Sequence, residues 1–231
     1  MQAGFKFPDF DFVLPGVTTI SCDTHKYGYS PKGSSVLMFK SAALRSHMYS
    51  IFPDWPGGIY GTPTAAGSRP GALIAATWAA LMYHGEDKFL ANTKAIIKAT
   101  RKMAVGIEEI EGLKLMCQPD VSVVCWTSDT FDINRLTTGL VKEKGWDVNV
   151  LQFPPSIHIA VTMAHTRRGI IENFLEDLAE VTAPLVASPT TKATGGAAMY
   201  GMAQAVPDRT VIEDVVSAYI DTMLLDEVPA Q

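Results

Sequence analysis

Residues 23–35, DTHKYGYSPKGSS, lie between two short β-branched or apolar runs, VTTISC (17–22) and SSVLMF (34–39). The two runs predict strands, the first of them buried, and Asp23–Gly33 is then the turn joining them at a sheet edge or end, where functional loops sit. Lys26 follows a strand directly, comes after a histidine and precedes glycines at 28 and 33. That pattern suits a lysine whose amine must reach a carbonyl compound from a fixed direction. His25 can donate to a phosphate, and the glycines let backbone approach a cofactor closely.

Beyond this stretch, Phe52–Pro70 (FPDWPGGIYGTPTAAGSRP) is a loop with four prolines and four glycines, and Trp55, Ile59 and Tyr60 predict that it is packed. Gly71–His84 predicts a helix ended by Gly85. A second helix follows, with Glu86 and Asp87 in its first turn. Its apolar stripe runs from Phe89 through Ile96, Ile97, Met103 and Ile107 to Ile110, and it ends near Gly112. Next come strands at Leu113–Cys117 and Val121–Thr127, a helix at Asp132–Lys144, strands at Val148–Gln152 and Ile157–Thr162, and helices at Gly169–Val186 and Thr210–Leu224. Strands separated by helices predict an α/β or α+β layered fold.

Composition narrows the function. The 231 residues are 47% hydrophobic and 19% charged, enough to bury a real core. A net charge of -5 argues against a nucleic-acid binder. Cys22, Cys117 and Cys125 are odd in number and widely spaced, which fits a reducing compartment better than a disulfide framework. No His/Cys cluster has the spacing of a metal site. The longest nearly uncharged run, Pro70–Tyr83, is shorter than the ~20 residues a bilayer requires, and no signal peptide opens the chain. Met1–Val17 reads as a connecting segment of something longer.

The segment 23–35 resembles the cofactor-lysine motif of sphingosine-1-phosphate lyases. Further resemblances follow in family order: Gly57–Gly71 (GGIYGTPTAAGSRPG), Asp129–Leu136 (DTFDINRL), Leu151–His158 (LQFPPSIH) and Thr194–Gln204 (TGGAAMYGMAQ). The resemblance implies an α/β fold: the C-terminal part of a fold-type I, pyridoxal-phosphate-dependent architecture. Residues 1–112 would be a remnant of the large cofactor-binding domain, and 113–231 the small α+β domain. It implies pyridoxal 5'-phosphate as cofactor, joined to Lys26, with His25 on its phosphate. Gly57, Gly58 and Thr62 would belong to a loop that approaches a neighbouring subunit's cofactor. Lys32 and Tyr60 would serve the phosphate of a lipid phosphate substrate. Arg69 matches the family's Ser-Arg-Pro-Gly stretch with no assigned role. It further implies a homodimer and, for full-length eukaryotic members, the cytosolic face of the endoplasmic reticulum membrane, whereas this stretch alone would be soluble and cytoplasmic.

Simpler readings stand beside these. Lys32 could be a solvent-exposed turn lysine, Tyr27 and Tyr29 packing residues, and Cys22 a small buried residue. Arg69 could pin its loop through a carboxylate, and His158 and His165 could be core or helix-end histidines. In the family the pyridinium aspartate, the stacking histidine and the main phosphate loop lie upstream of the matched region, so this chain alone is expected to be inactive. A group II amino-acid decarboxylase, which shares the fold and the His-Lys pair, and a non-catalytic fragment are the rival readings.

Overall fold

The computed structural model describes residues 3–191, 198, 201, 203, 204 and 206–224. Two compact units divide the chain, Met1–Thr93 and Lys94–Gln231.

The first unit holds two antiparallel hairpins. Strand β1 (Thr19–Cys22) pairs with β2 (Val36–Phe39), in register from Thr19 opposite Phe39 to Cys22 opposite Val36. After the short helix α1 (Ala42–Ser46), capped by the Ser41 hydroxyl, β3 (Ser50–Phe52) pairs with β4 (Tyr60–Thr62). The strands expected at 17–22 and 34–39 are present, but the burial expected of the first is not. Residues of β1 and β2 are exposed or half-buried, and Ile59 of the second hairpin is 86% exposed. Trp55 and Tyr60 are exposed too, so the loop expected to be packed is not. The cause is architectural: each sheet has two strands, and a lone hairpin has no layer to bury an apolar face against. Cys22 is accordingly exposed and not buried.

The helical run α2 (Gly71–Glu108) breaks at Gly85, whose φ of 60° and ψ of 175° lie outside the helix. A side chain there would be strained, so glycine ends one helix and lets the next begin, as its place in the sequence predicts.

The second unit is a four-stranded antiparallel sheet in the order β5 (Lys114–Leu115), β6 (Val123–Thr127), β8 (Ser156–Ala160), β7 (Asn149–Leu151). Alternation decides its inner face. Val124 and Trp126 of β6 lie opposite Ile159 and Ile157 of β8, and all four are buried. Helices supply the second layer. Ile96, Met103 and Ile107 of α2, with Ile171, Phe174 and Leu178 of α4 (Ile170–Ala187), share one core with that face. Trp126 and Trp146 both meet the Phe174 ring edge-on, at centroid distances of 6.1 and 5.1 Å. Trp146 keeps its polar edge satisfied by donating from Nε1 to Asp177 Oδ2 at 2.8 Å. Helix α5 (Arg209–Leu224) completes the described chain. No helix among the described residues is long and apolar enough to cross a membrane.

The single helix expected over Asp132–Lys144 is two pieces: α3 (Asn134–Thr138) and a π-helical turn, Gly139–Glu143. Gly139 is buried there, and a Cβ at that position would lie 2.3 Å from Val181 Cγ1 of α4. The β-branched valine has little rotamer freedom with which to yield. Gly139→Ala should therefore destabilise the protein by about 1–3 kcal/mol in urea unfolding. Adding Val181→Ala should recover part of that loss, and additive losses in the double variant would contradict the close approach.

Candidate active site

Two consecutive turns build the Lys26 loop. The Lys26 amide donates to Asp23 O at 3.1 Å, the Tyr29 amide to Lys26 O at 3.2 Å, and the Ser30 amide closes back on Thr24 O at 3.2 Å. The backbone thus wraps around Thr24, and Gly28 passes so close that a Cβ there would sit 2.4 Å from Thr24 O. Only glycine fits.

Hydroxyls hold this loop to the rest of its unit. Thr24 and Ser30 are buried. Thr24 Oγ1 lies 2.5 Å from Ser34 Oγ, Ser30 Oγ donates to Thr24 Oγ1 at 3.2 Å, and Ser34 Oγ lies 2.9 Å from Thr77 Oγ1 on α2. Each buried hydroxyl therefore has a partner, as burial demands. On the far side of the loop Tyr29, at a φ of 56°, stacks on Phe89 at 5.7 Å and accepts from Asn92 Nδ2 at 3.4 Å. Tyr29 is thus a packing residue with a bonded hydroxyl, whereas Tyr27 is exposed.

On this scaffold the Lys26 side chain is 65% exposed, and Nζ lies 3.0 Å from Asp23 Oδ2. The Lys26 ammonium, and after it the Ser35 hydroxyl, hold the Asp23 carboxyl below the usual carboxylate range. His25 Nδ1 is 2.9 Å from Ser34 O. A carbonyl oxygen only accepts, so Nδ1 carries the proton and Nε2 is left without a partner among the described residues.

The structure therefore brings together Lys26, Asp23, His25 and the hydroxyl set. It does not bring in the other expected residues. Lys32 is exposed, and among the described residues it makes no ion pair, and no hydrogen bond or ion pair joins Lys26, His25 or Lys32 to the 50–62 hairpin. Gly57, Gly58 and Tyr60 are exposed on that hairpin and Thr62 is half-buried, its hydroxyl donating to Thr64 O at 2.9 Å. Phe52, Trp55 and Tyr60 line an apolar cleft of about 270 Å³ there. Arg69 is exposed and makes no ion pair among the described residues, so it does not pin its loop to a carboxylate there. His165 is a helix-end histidine, its Nδ1 accepting from the Thr162 amide at 2.9 Å, while His158 Nδ1 on β8 is buried with no hydrogen-bond partner among the described residues. Most of the Thr194–Gln204 motif lies outside the described residues.

No family model matches the chain. Individual proteins do. The chain is 44% identical over 222 residues to the sphingosine-1-phosphate lyase of Drosophila melanogaster, an overlap covering 96% of this chain and 41% of that protein. Its structure is similar to the sphingosine-1-phosphate lyase of Burkholderia pseudomallei, 43% identical, with a TM-score of 0.73 over 79% of this chain and 42% of that one. The chain belongs to the sphingosine-1-phosphate lyase family. It spans about two-fifths of the length of these lyases. A glutamate decarboxylase of Lactobacillus brevis, 19% identical, matches 80% of this chain and 43% of its own with a TM-score of 0.61. At that identity the decarboxylase shares the fold, here part of the fold-type I architecture of pyridoxal-phosphate enzymes.

Sequence reasoning passed over Thr24, Ser30, Ser34 and Thr77. The first three are spaced hydroxyls inside the motif and were visible as such, but Thr77 gives no local signal. In this lyase-family loop Thr77→Val should remove Ser34's tether to α2, a loss of about 1 kcal/mol. Amide exchange at Ser30 should then quicken several-fold, with Thr77→Ser restoring the slow rate. Unchanged exchange in Thr77→Val would show that the hydroxyl does not hold the loop.

Proposed function

We propose that the protein carrying this segment cleaves phosphorylated sphingoid bases, sphingosine 1-phosphate among them, to a fatty aldehyde and phosphoethanolamine. The observation that carries the reading is the 44% identity to a sphingosine-1-phosphate lyase over 96% of the chain, the Lys26 loop being part of that chain. The cofactor is pyridoxal phosphate, which when bound supplies the electron sink that carbon–carbon cleavage needs.

The residues present fit that group. A primary amine that is to meet an aldehyde must be accessible, and Lys26 Nζ is exposed with one ion-pair partner. An exposed pair of this kind is weak and readily broken. Asp23 orients the amine and does not take its proton, because a carboxyl held below its usual range is a poor base. With Nδ1 fixed on Ser34 O, His25 leaves its Nε2 edge for the cofactor phosphate in this reading. Gly57, Gly58 and Thr62 complete the cofactor pocket of a partner subunit in this reading. The exposed apolar residues Ile51, Ile59, Ile74 and Trp78 support a homodimer. Lys32 and Tyr60 take the substrate phosphate, and the cleft lined by Phe52, Trp55 and Tyr60 suits an apolar chain.

Each step asks something definite of the chain. In this reading Lys26 Nζ would hold the cofactor through its aldehyde until a substrate amine took its place, and the freed amine would then be available to carry a proton to the product carbon. The hydroxyl proton next to the breaking bond leaves to a base as that bond opens. In this reading residues 1–112 come from the large domain and 113–231 form the small one, and eukaryotic members work at the endoplasmic reticulum.

A chimera tests the assignment: the Drosophila lyase with its matched region replaced by this chain. It should release aldehyde from sphingosine 1-phosphate. Lys26→Arg, which keeps the Asp23 pair but removes the primary amine, should reduce turnover to background. Carbon dioxide release from an amino acid without aldehyde formation would favour the decarboxylase reading. Full aldehyde release by the Lys26→Arg chimera would refute the role given to Lys26.

A further inference from the structure

The chain is acidic overall, with a net charge of -5, yet one groove of its second unit has the opposite sign. The groove, of about 340 Å³, runs between α2 and the start of α4 and is lined by Lys98, Lys102, Arg167, Arg168, His165 and Glu172. Four permanent cations face a single carboxylate. Glu172 is committed to Lys102, to which it is ion-paired. Among the described residues Lys98, Arg167 and Arg168 have no ion-pair partner. Gathering unpaired like charges in one concave place raises the potential there and costs stability unless a counter-ion answers them.

Two further features point the same way. The 18-residue helix α4 opens at Gly169, which also lines the groove, and the Ile170 amide there donates to Arg167 O at 3.3 Å. The positive end of the helix dipole favours an anion. His165 adds a neutral donor: burial lowers its pKa, and its Nδ1 accepts from the Thr162 amide, so the ring proton is on Nε2.

We infer that this groove is a binding site for a phosphate group, used by a ligand that no reading of the Lys26 loop requires. The adjacent guanidinium groups of Arg167 and Arg168 suit a tetrahedral oxyanion, because each can present a fork of donors. An excess of three positive charges suits a phosphate dianion better than a single carboxylate. The open groove admits a phosphate group from either source, free phosphate or the phosphomonoester head of a lipid. No part of the inference depends on lyase activity.

The 231-residue chain itself is the material for the test. Inorganic phosphate is titrated at constant ionic strength, with chloride as the control, and sedimentation is measured with phosphatidylcholine vesicles with and without phosphatidic acid. Saturable one-to-one binding of phosphate, or selective binding to phosphatidic acid vesicles, is expected. The first outcome identifies a free phosphate ligand and the second a lipid head. In either case Arg167→Gln with Arg168→Gln should weaken binding tenfold or more, and Glu172→Gln should tighten it at least twofold. These positions lie at the surface or in a first turn, and thermal melts followed by circular dichroism establish that each variant is folded. Absence of saturable binding to both probes would overturn the site. So would affinity that tracks ionic strength alone, or equal affinity in the folded double-arginine variant.

Discussion

Thr24 and Ser30 bury their hydroxyls in a loop that has little apolar core of its own. A buried hydroxyl left without a partner costs about 1–3 kcal/mol, so the loop persists only while Ser34 and Thr77 complete the set. Everything proposed for Lys26 rests on that network. The lysine sits two residues past Thr24, and its direction is set by backbone turns that close on Thr24 O. Gly28 makes the closure sterically possible, and the stack of Tyr29 on Phe89 fixes the other end. Among the described residues the amine is ion-paired only to Asp23, at the surface. A hydrogen-bonded base under an exposed reactive tip is what a lysine that repeatedly exchanges partners needs.

The two units show how differently one sequence can use its apolar residues. In the second, the alternation of β6 and β8 meets the stripes of α2 and α4, and the result is a core in which Trp126, Phe174 and Leu178 are fully buried. In the first, residues of equal hydrophobicity stand on two-stranded hairpins and remain in solvent. Exposed apolar residues in such number support an interaction face.

Much of this was legible in the residues. The β-branched or apolar runs placed β1 and β2, Gly85 placed the helix break, and short apolar runs separated by helices placed strands of the second unit. These signals are local, and local geometry answers to them. Burial does not, because it depends on a second layer that sequence periodicity does not locate; hence the exposed β1, Cys22 and Trp55. The π-helical turn at Gly139–Glu143 was likewise invisible, since it reflects the approach of Val181, more than forty residues further along the chain. At the site, the pairing of Asp23 with Lys26 was not read from the sequence, and the tether from Thr77 came from a helix whose own pattern marks no function.

The central claim is that one amine, Lys26 Nζ, is the group that joins the cofactor. Reductive trapping tests it most directly: the chimeric lyase is loaded with pyridoxal phosphate, reduced with borohydride, digested, and its labelled peptides are mapped by mass spectrometry. The account predicts a single stoichiometric label on Lys26 with Lys32 unmodified. Label on Lys32, or label scattered over surface lysines with Lys26 free, would contradict it.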